Sequence, residues 1–136
     1  MSQMEQLPVL QHQKTVLVVD DNPDVLKLIS GALDADYCIL MANSGQEALE
    51  KFNDSESEIH LLLSDFQMPG MTGIELATKI TARRPKIKVL LMSGFTGGML
   101  VLNEGWHFLP KPFIPSQLRA LIVGLVSPHQ PSKFSA

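Results

Sequence analysis

Five short runs rich in β-branched and other apolar residues alternate with longer amphipathic stretches. This pattern specifies crossover helices on both faces of a parallel sheet. The runs are Thr15 to Val19, Tyr37 to Met41, Ile59 to Ser64, Ile87 to Met92 and Trp106 to Leu109. The third is continuous apart from His60 and stops at Asp65, as expected of a central strand covered on both sides. Pro110 removes a ladder donor just past the fifth run, which is tolerated most easily at a sheet edge. With 136 residues, 45% of them hydrophobic, the chain can build one core but not two. We read 1–13 as an N-terminal tail, 14–126 as the domain and 127–136 as a C-terminal tail.

The stretches between the runs carry helix signals. Asn22-Pro23 opens the first helix, with Val25, Leu28, Ile29 and Ala32 on one face. Ser44 and Glu47 stand at capping-box spacing for a second helix over Gln46 to Phe52. A third runs from Thr72 to about Arg84 and is closed by Pro85. A fourth over Thr96 to Asn103 is expected to be short or irregular, because Gly97 and Gly98 each cost up to about 1 kcal/mol relative to Ala. The last spans Ile114 to Val126.

Lys and Arg number 11 against 14 Asp and Glu, a net charge of −3. That balance argues against a surface built for nucleic acid or anionic lipid. The longest uncharged stretch, Val89 to Asn103, is interrupted by polar residues and falls short of the ~18 apolar residues a membrane span needs. One cysteine, Cys38, excludes an internal disulfide, and Met1 to Lys14 lacks the pattern of a signal peptide. A reducing, cytoplasmic setting is the expectation. Cys38, inside an apolar run, is expected in the core. His12, His60, His107 and His129 show no metal-ligand spacing.

In a parallel sheet all carboxyl ends of the strands point to one edge, where ligands bind. Asp20 and Asp21 follow the first run, Asp65 the third, Ser93 the fourth and Lys111 the fifth. Any one of these could be a solvated turn residue. Together they make a rim of three carboxylates, one hydroxyl and one ammonium. Carboxylates so close repel one another unless a cation is present, and Mg²⁺ accepts carboxylate, water and phosphate oxygens. Lys111 and Ser93 suit the phosphate side. The implied ligand is a phosphoryl group, and Asp65, standing alone at the end of the central strand, is the best nucleophile.

These residues, in the segments VLVVDDNPDV, LLLSDFQMPGMTGIEL, VLLMSGF and FLPKPF, resemble the receiver domain of two-component response regulators over about Lys14 to Val126. The resemblance implies a doubly wound sheet of order 2-1-3-4-5 with helices on both faces and a shortened fourth helix. It implies Asp65 as the phosphoacceptor for a sensor histidine kinase or a histidine phosphotransfer protein. Mg²⁺ would be held by Asp21, Asp65 and the backbone carbonyl of Gln67, with Asp20 acting through water. Ser93 and Lys111 would hold the phosphoryl oxygens, and Phe108 is the expected aromatic switch beside Ser93. Lys111-Pro112 resembles a bond often cis in that family, and Leu26, read as lying off the core stripe, stands on a helix that docks kinases there. The chain is expected to act as a signalling domain rather than as an enzyme, regulating a partner protein without binding nucleic acid or membrane.

Departures from the commonest family pattern sit near the rim. Gln67 and Phe95 occupy variable positions that influence how water reaches the phosphoryl group, and Phe95 is bulky enough to screen it. Ser93 and Lys111 are 18 positions apart, about one helical turn less than is typical of the family. The short form also resembles receivers fused to hybrid sensor kinases. The alternative function is a phosphorylation-independent pseudo-receiver that only binds protein. An aspartyl phosphatase would need a second Asp where Gln67 stands. A calcium loop fails at Val25 and Gly31, Asp20-Asp21 would repel a flavin phosphate, and Leu91 breaks the Ser93 hydrolase elbow.

Overall fold

A computed structural model of the chain describes residues 13–55, 58–94 and 105–126. In chain order the elements are β1 (Thr15–Val19), α1 (Pro23–Leu33), β2 (Cys38–Ala42), α2 (Gly45–Asp54), β3 (Leu61–Asp65), α3 (Gly73–Arg83), β4 (Lys88–Ser93), β5 (Trp106–Pro110) and α4 (Pro115–Val126). The strands form one sheet of order β2-β1-β3-β4-β5, parallel at every pairing. This is the doubly wound α/β architecture expected from the alternation of runs. The expected helix over Thr96 to Asn103, and with it its shortening, Phe95 and both tails beyond residues 13 and 126, lie outside the described residues.

Successive side chains of a strand point to opposite faces, and the sheet accordingly divides two cores. Leu17, Val19, Leu62, Val89 and Leu91 meet Ala48 and Phe52 of α2 and Leu76, Ala77 and Ile80 of α3. Val16, Val18, Leu61, Leu63, Leu90 and Met92 meet Ile29 and Leu33 of α1 and Leu118 and Ile122 of α4. Burying each large aliphatic side chain contributes roughly 1.5–3 kcal/mol. This two-sided burial explains why β1 and β3 read as unbroken apolar runs rather than as alternating ones.

Three expectations need correction. Cys38 is exposed, with its Sγ 3.6 Å from Gln13 Oε1. It opens β2, an edge strand that begins one residue later than anticipated, so the apolar run does not carry it into the core. Leu28 is 47% exposed, whereas Leu26 is half-buried against the α1–α4 side of the sheet. The buried stripe of α1 is therefore Val25, Leu26, Ile29, Ala32 and Leu33, and Leu28 lies about 100° around the helix from Ile29. The Ser44 hydroxyl does cap α2 by accepting from Glu47 N at 3.0 Å, but Glu47 Oε1 accepts in return from Asn43 N rather than from Ser44 N.

A complete capping box stands at α3 instead. Thr72 Oγ1 accepts from Glu75 N, and Glu75 Oε1 accepts from Thr72 N. On the β2 edge, Lys51 Nζ donates to the carbonyl of Met41 at 2.6 Å. Pro110 ends β5 at the opposite edge, as its missing donor requires. No helix among the described residues is long and apolar enough to cross a membrane.

Candidate functional site

The carboxyl ends of β1, β3, β4 and β5 bring together most of the residues singled out in the sequence. One oxygen from each of Asp20, Asp21 and Asp65 falls within 4.8 Å of the others. Asp20 is 1% exposed; Asp21 is open to solvent and Asp65 is mostly covered. Lys111 Nζ reaches into this group, 2.9 Å from Asp20 Oδ2 and 3.3 Å from Asp65 Oδ1. Ser93 is buried at the end of β4, one residue past Met92, the register partner of Asp65. Gln67 and Phe108 stand outside the hydrogen-bonded cluster: Gln67 is exposed after Asp65, and Phe108 is half-buried in β5.

Local structure aims each group. Asp20 is the first residue beyond β1, and its Oδ1 accepts from Asn22 N at 2.9 Å, an Asx turn that reverses the chain into α1. Asn22 Oδ1 then caps the helix by accepting from Asp24 N at 2.8 Å. Lys111 is held at the other end of the rim by its own N–H on the Ser93 carbonyl, 2.7 Å. The Lys111-Pro112 peptide is cis, in line with the expectation.

Charge does not balance here. Burial, and then the neighbouring Asp20 charge, push the Asp65 carboxyl above its ordinary range, against the opposing pull of Lys111. For Lys111, burial works downward but is outweighed by its hydrogen bond to Asp20 and by the charges of Asp20 and Asp65, so its pKa is raised. Three carboxylates facing one ammonium leave about two negative charges uncompensated, all on hard oxygen donors. That donor set fits a divalent cation such as Mg²⁺.

A family profile described as the response regulator receiver domain matches residues 16–123. The chain belongs to the response regulator receiver domain family. Receiver relatives are widely spread: the chain is 33% identical over 129 residues to the sensor histidine kinase TmoS of Ectopseudomonas mendocina, covering 90% of this chain and 13% of that protein. It is 35% identical over 113 residues to the two-component response regulator ORR5 of Oryza sativa subsp. japonica, covering 78% of this chain and 84% of that one. The solved receiver domain of the hybrid histidine kinase CckA superposes with a TM-score of 0.74 at 30% identity, over 83% of this chain and 99% of that one. The receiver spans only 23% of the hydrogenase transcriptional regulator HoxA of Cupriavidus necator and 13% of TmoS.

Two buried neighbours of Asp65, Ser64 and Gly73, escaped the sequence reading. Ser64 is read there only as the last residue of the third apolar run, and Gly73 is not singled out. Only the fold shows that both lie against the Asp65 peptide.

Proposed function

We propose that this receiver domain takes a phosphoryl group from a phosphohistidine of a sensor histidine kinase, or of a histidine phosphotransfer protein, onto Asp65. The observation that carries the reading is the Asp65 carboxylate at the end of the central strand, clustered with Asp20 and Asp21 and in contact with the Lys111 ammonium. A carboxylate oxygen of Asp65 attacks phosphorus, the P–N bond breaks, and its electron pair returns to the imidazole of the donor. Asp20, Asp21 and Asp65, together with the Gln67 backbone carbonyl, are assigned to Mg²⁺, which would neutralise charge on the transferring group. Lys111 and Ser93 are assigned to the phosphoryl oxygens. Lys111 must then trade its carboxylate contacts for the new phosphate, and that exchange, with Ser93 and Phe108 following, supplies the conformational signal to a partner protein.

The covalent step is chemically modest, so positioning and charge compensation carry the rate. Incubation with acetyl phosphate and Mg²⁺ should add the mass of one phosphoryl group to the wild-type chain and none to Asp65→Ala, as read by intact mass. Chelation of the metal should abolish the adduct. An adduct that persists in Asp65→Ala, or that never forms in the wild type, refutes the assignment.

A further inference from the structure

Two groups outside the acidic cluster converge on the peptide that carries Asp65. Ser64 is fully buried, at 0% exposure, in a strand otherwise made of leucines up to the acceptor. A buried hydroxyl is costly unless it finds a partner. Its partner is the acceptor's own main chain: Ser64 Oγ donates to the Asp65 carbonyl oxygen at 2.9 Å.

From the other side, α3 begins against the same oxygen. A Cβ at Gly73 would lie 2.3 Å from the Asp65 carbonyl oxygen and 3.1 Å from both its carbonyl carbon and Phe66 Cα. The obstacle is backbone, which cannot swing aside as a side chain does. Gly73 is not among the positive-φ glycines, so the position demands space rather than left-handed backbone. Its N–H donates to the Phe66 carbonyl at 2.9 Å, and Phe66 N–H donates to the Met92 carbonyl at 2.6 Å. The Asp65–Phe66 peptide is thus bonded at its oxygen by Ser64, bonded at its nitrogen by β4, and walled by the start of α3.

We infer that Ser64 and Gly73 are positioning residues for phosphoryl acceptance. They fix the plane of the acceptor peptide and thereby the direction in which the Asp65 carboxylate leaves the strand, a role that rests on the acceptor reading above. Neither touches the phosphoryl group. A near-attack geometry tolerates little error, and a displacement of about 1 Å can cost on the order of 10²-fold in rate. Gly45 offers the contrast: its Cβ would meet the Met71 side chain, Sδ at 2.7 Å and Cβ at 2.9 Å, so the crowding there falls on Met71 and leaves the Asp65 peptide untouched.

The test compares Ser64→Ala, Gly73→Ala, Gly45→Ala and Thr72→Ala at a temperature where each is folded. Phosphorylation by acetyl phosphate, Mg²⁺ affinity by calorimetry and thermal midpoint are measured for each. Ser64→Ala should be phosphorylated about five- to tenfold more slowly and bind Mg²⁺ several-fold more weakly, with the Phe66 amide resonance displaced even without metal. Gly73→Ala should lose more. Thr72→Ala, which weakens the same helix start without crowding Asp65, should lose stability but keep the wild-type rate, and Gly45→Ala, which crowds Met71 instead, should likewise change stability while keeping the wild-type rate. Ser64→Ala with wild-type rate and metal affinity overturns the inference, as does a Thr72→Ala rate loss equal to that of Ser64→Ala. Should Gly73→Ala fail to fold, Ser64→Ala alone decides. A wild type that forms no adduct sinks the acceptor reading instead, and the Mg²⁺ affinities of Ser64→Ala and wild type then decide the positioning role by themselves.

Discussion

Asp65 is held in tension between opposite neighbours. Burial and the Asp20 charge raise its pKa, while Lys111, 3.3 Å away, opposes them. Replacing Asp20 by Asn removes the repulsion and leaves Lys111 without its 2.9 Å partner, and both changes stabilise the ionised form of Asp65. The Asp65 carboxyl should therefore titrate at lower pH in Asp20→Asn than in wild type, measured by its ¹³C carboxyl resonance. An unchanged or higher titration would show that burial alone sets its value. The same variant should bind Mg²⁺ more weakly, since one carboxylate of the cluster is gone.

At the scale of elements, α1 shows how capping and the site can be separated. Asn22 uses its side chain to cap the helix and its backbone N–H to hold Asp20. Asn22→Ala should cost about 1 kcal/mol through the lost cap, a fall of about 4 °C in thermal midpoint for a domain of this size. The backbone donor survives the substitution, so Mg²⁺ affinity should change by less than about twofold. A large loss of metal binding would mean that the side-chain cap, and not the Asx turn, sets the direction of Asp20.

Elements also explain what the sequence could and could not announce. Reactive residues fall at the ends of strands, and the topology of a parallel sheet carries all such ends to one rim, so Asp20, Asp21, Asp65, Ser93 and Lys111 were legible together. The two-sided burial of β3 was legible in its apolar run, whereas the order of strands came only from the family resemblance. Leu28 and Cys38 were misread because facing changes by about 100° per residue in a helix and because an edge strand exposes residues that a central one would hide. Ser64 and Gly73 were invisible for another reason: their significance lies in contact with the Asp65 carbonyl, an approach that only packing of α3 on β3 creates.

Across the whole molecule, His60 links proton binding to the sheet. It lies just before β3, and its Nδ1 accepts from Thr15 N at 3.0 Å. Burial lowers its pKa below the ordinary 6.5, aided by Lys14 and opposed by Glu58. The unfolded chain therefore binds a proton at His60 more readily than the folded one does, and stability contributed by the neutral ring is lost as pH falls below about 6.5. The thermal midpoint should decline between roughly pH 7.5 and 5.5 in wild type, and His60→Gln should flatten that decline. Asp65 acts in the opposite sense lower in pH. Its carboxyl is raised in the fold, so protonating it favours the folded state as acidity increases.

The β2 edge carries one more lesson. Among the described residues β2 has no neighbour on its outer side, so it offers main-chain groups to any other chain that arrives extended, and Met41 and Cys38 add exposed side chains there. Lys51 occupies the Met41 carbonyl, placing a hydrated positive charge where a foreign ribbon would have to zip on. Lys51→Met should therefore lower the concentration at which the chain self-associates, as read by light scattering, while leaving Mg²⁺ affinity at the Asp20–Asp21–Asp65 cluster unchanged.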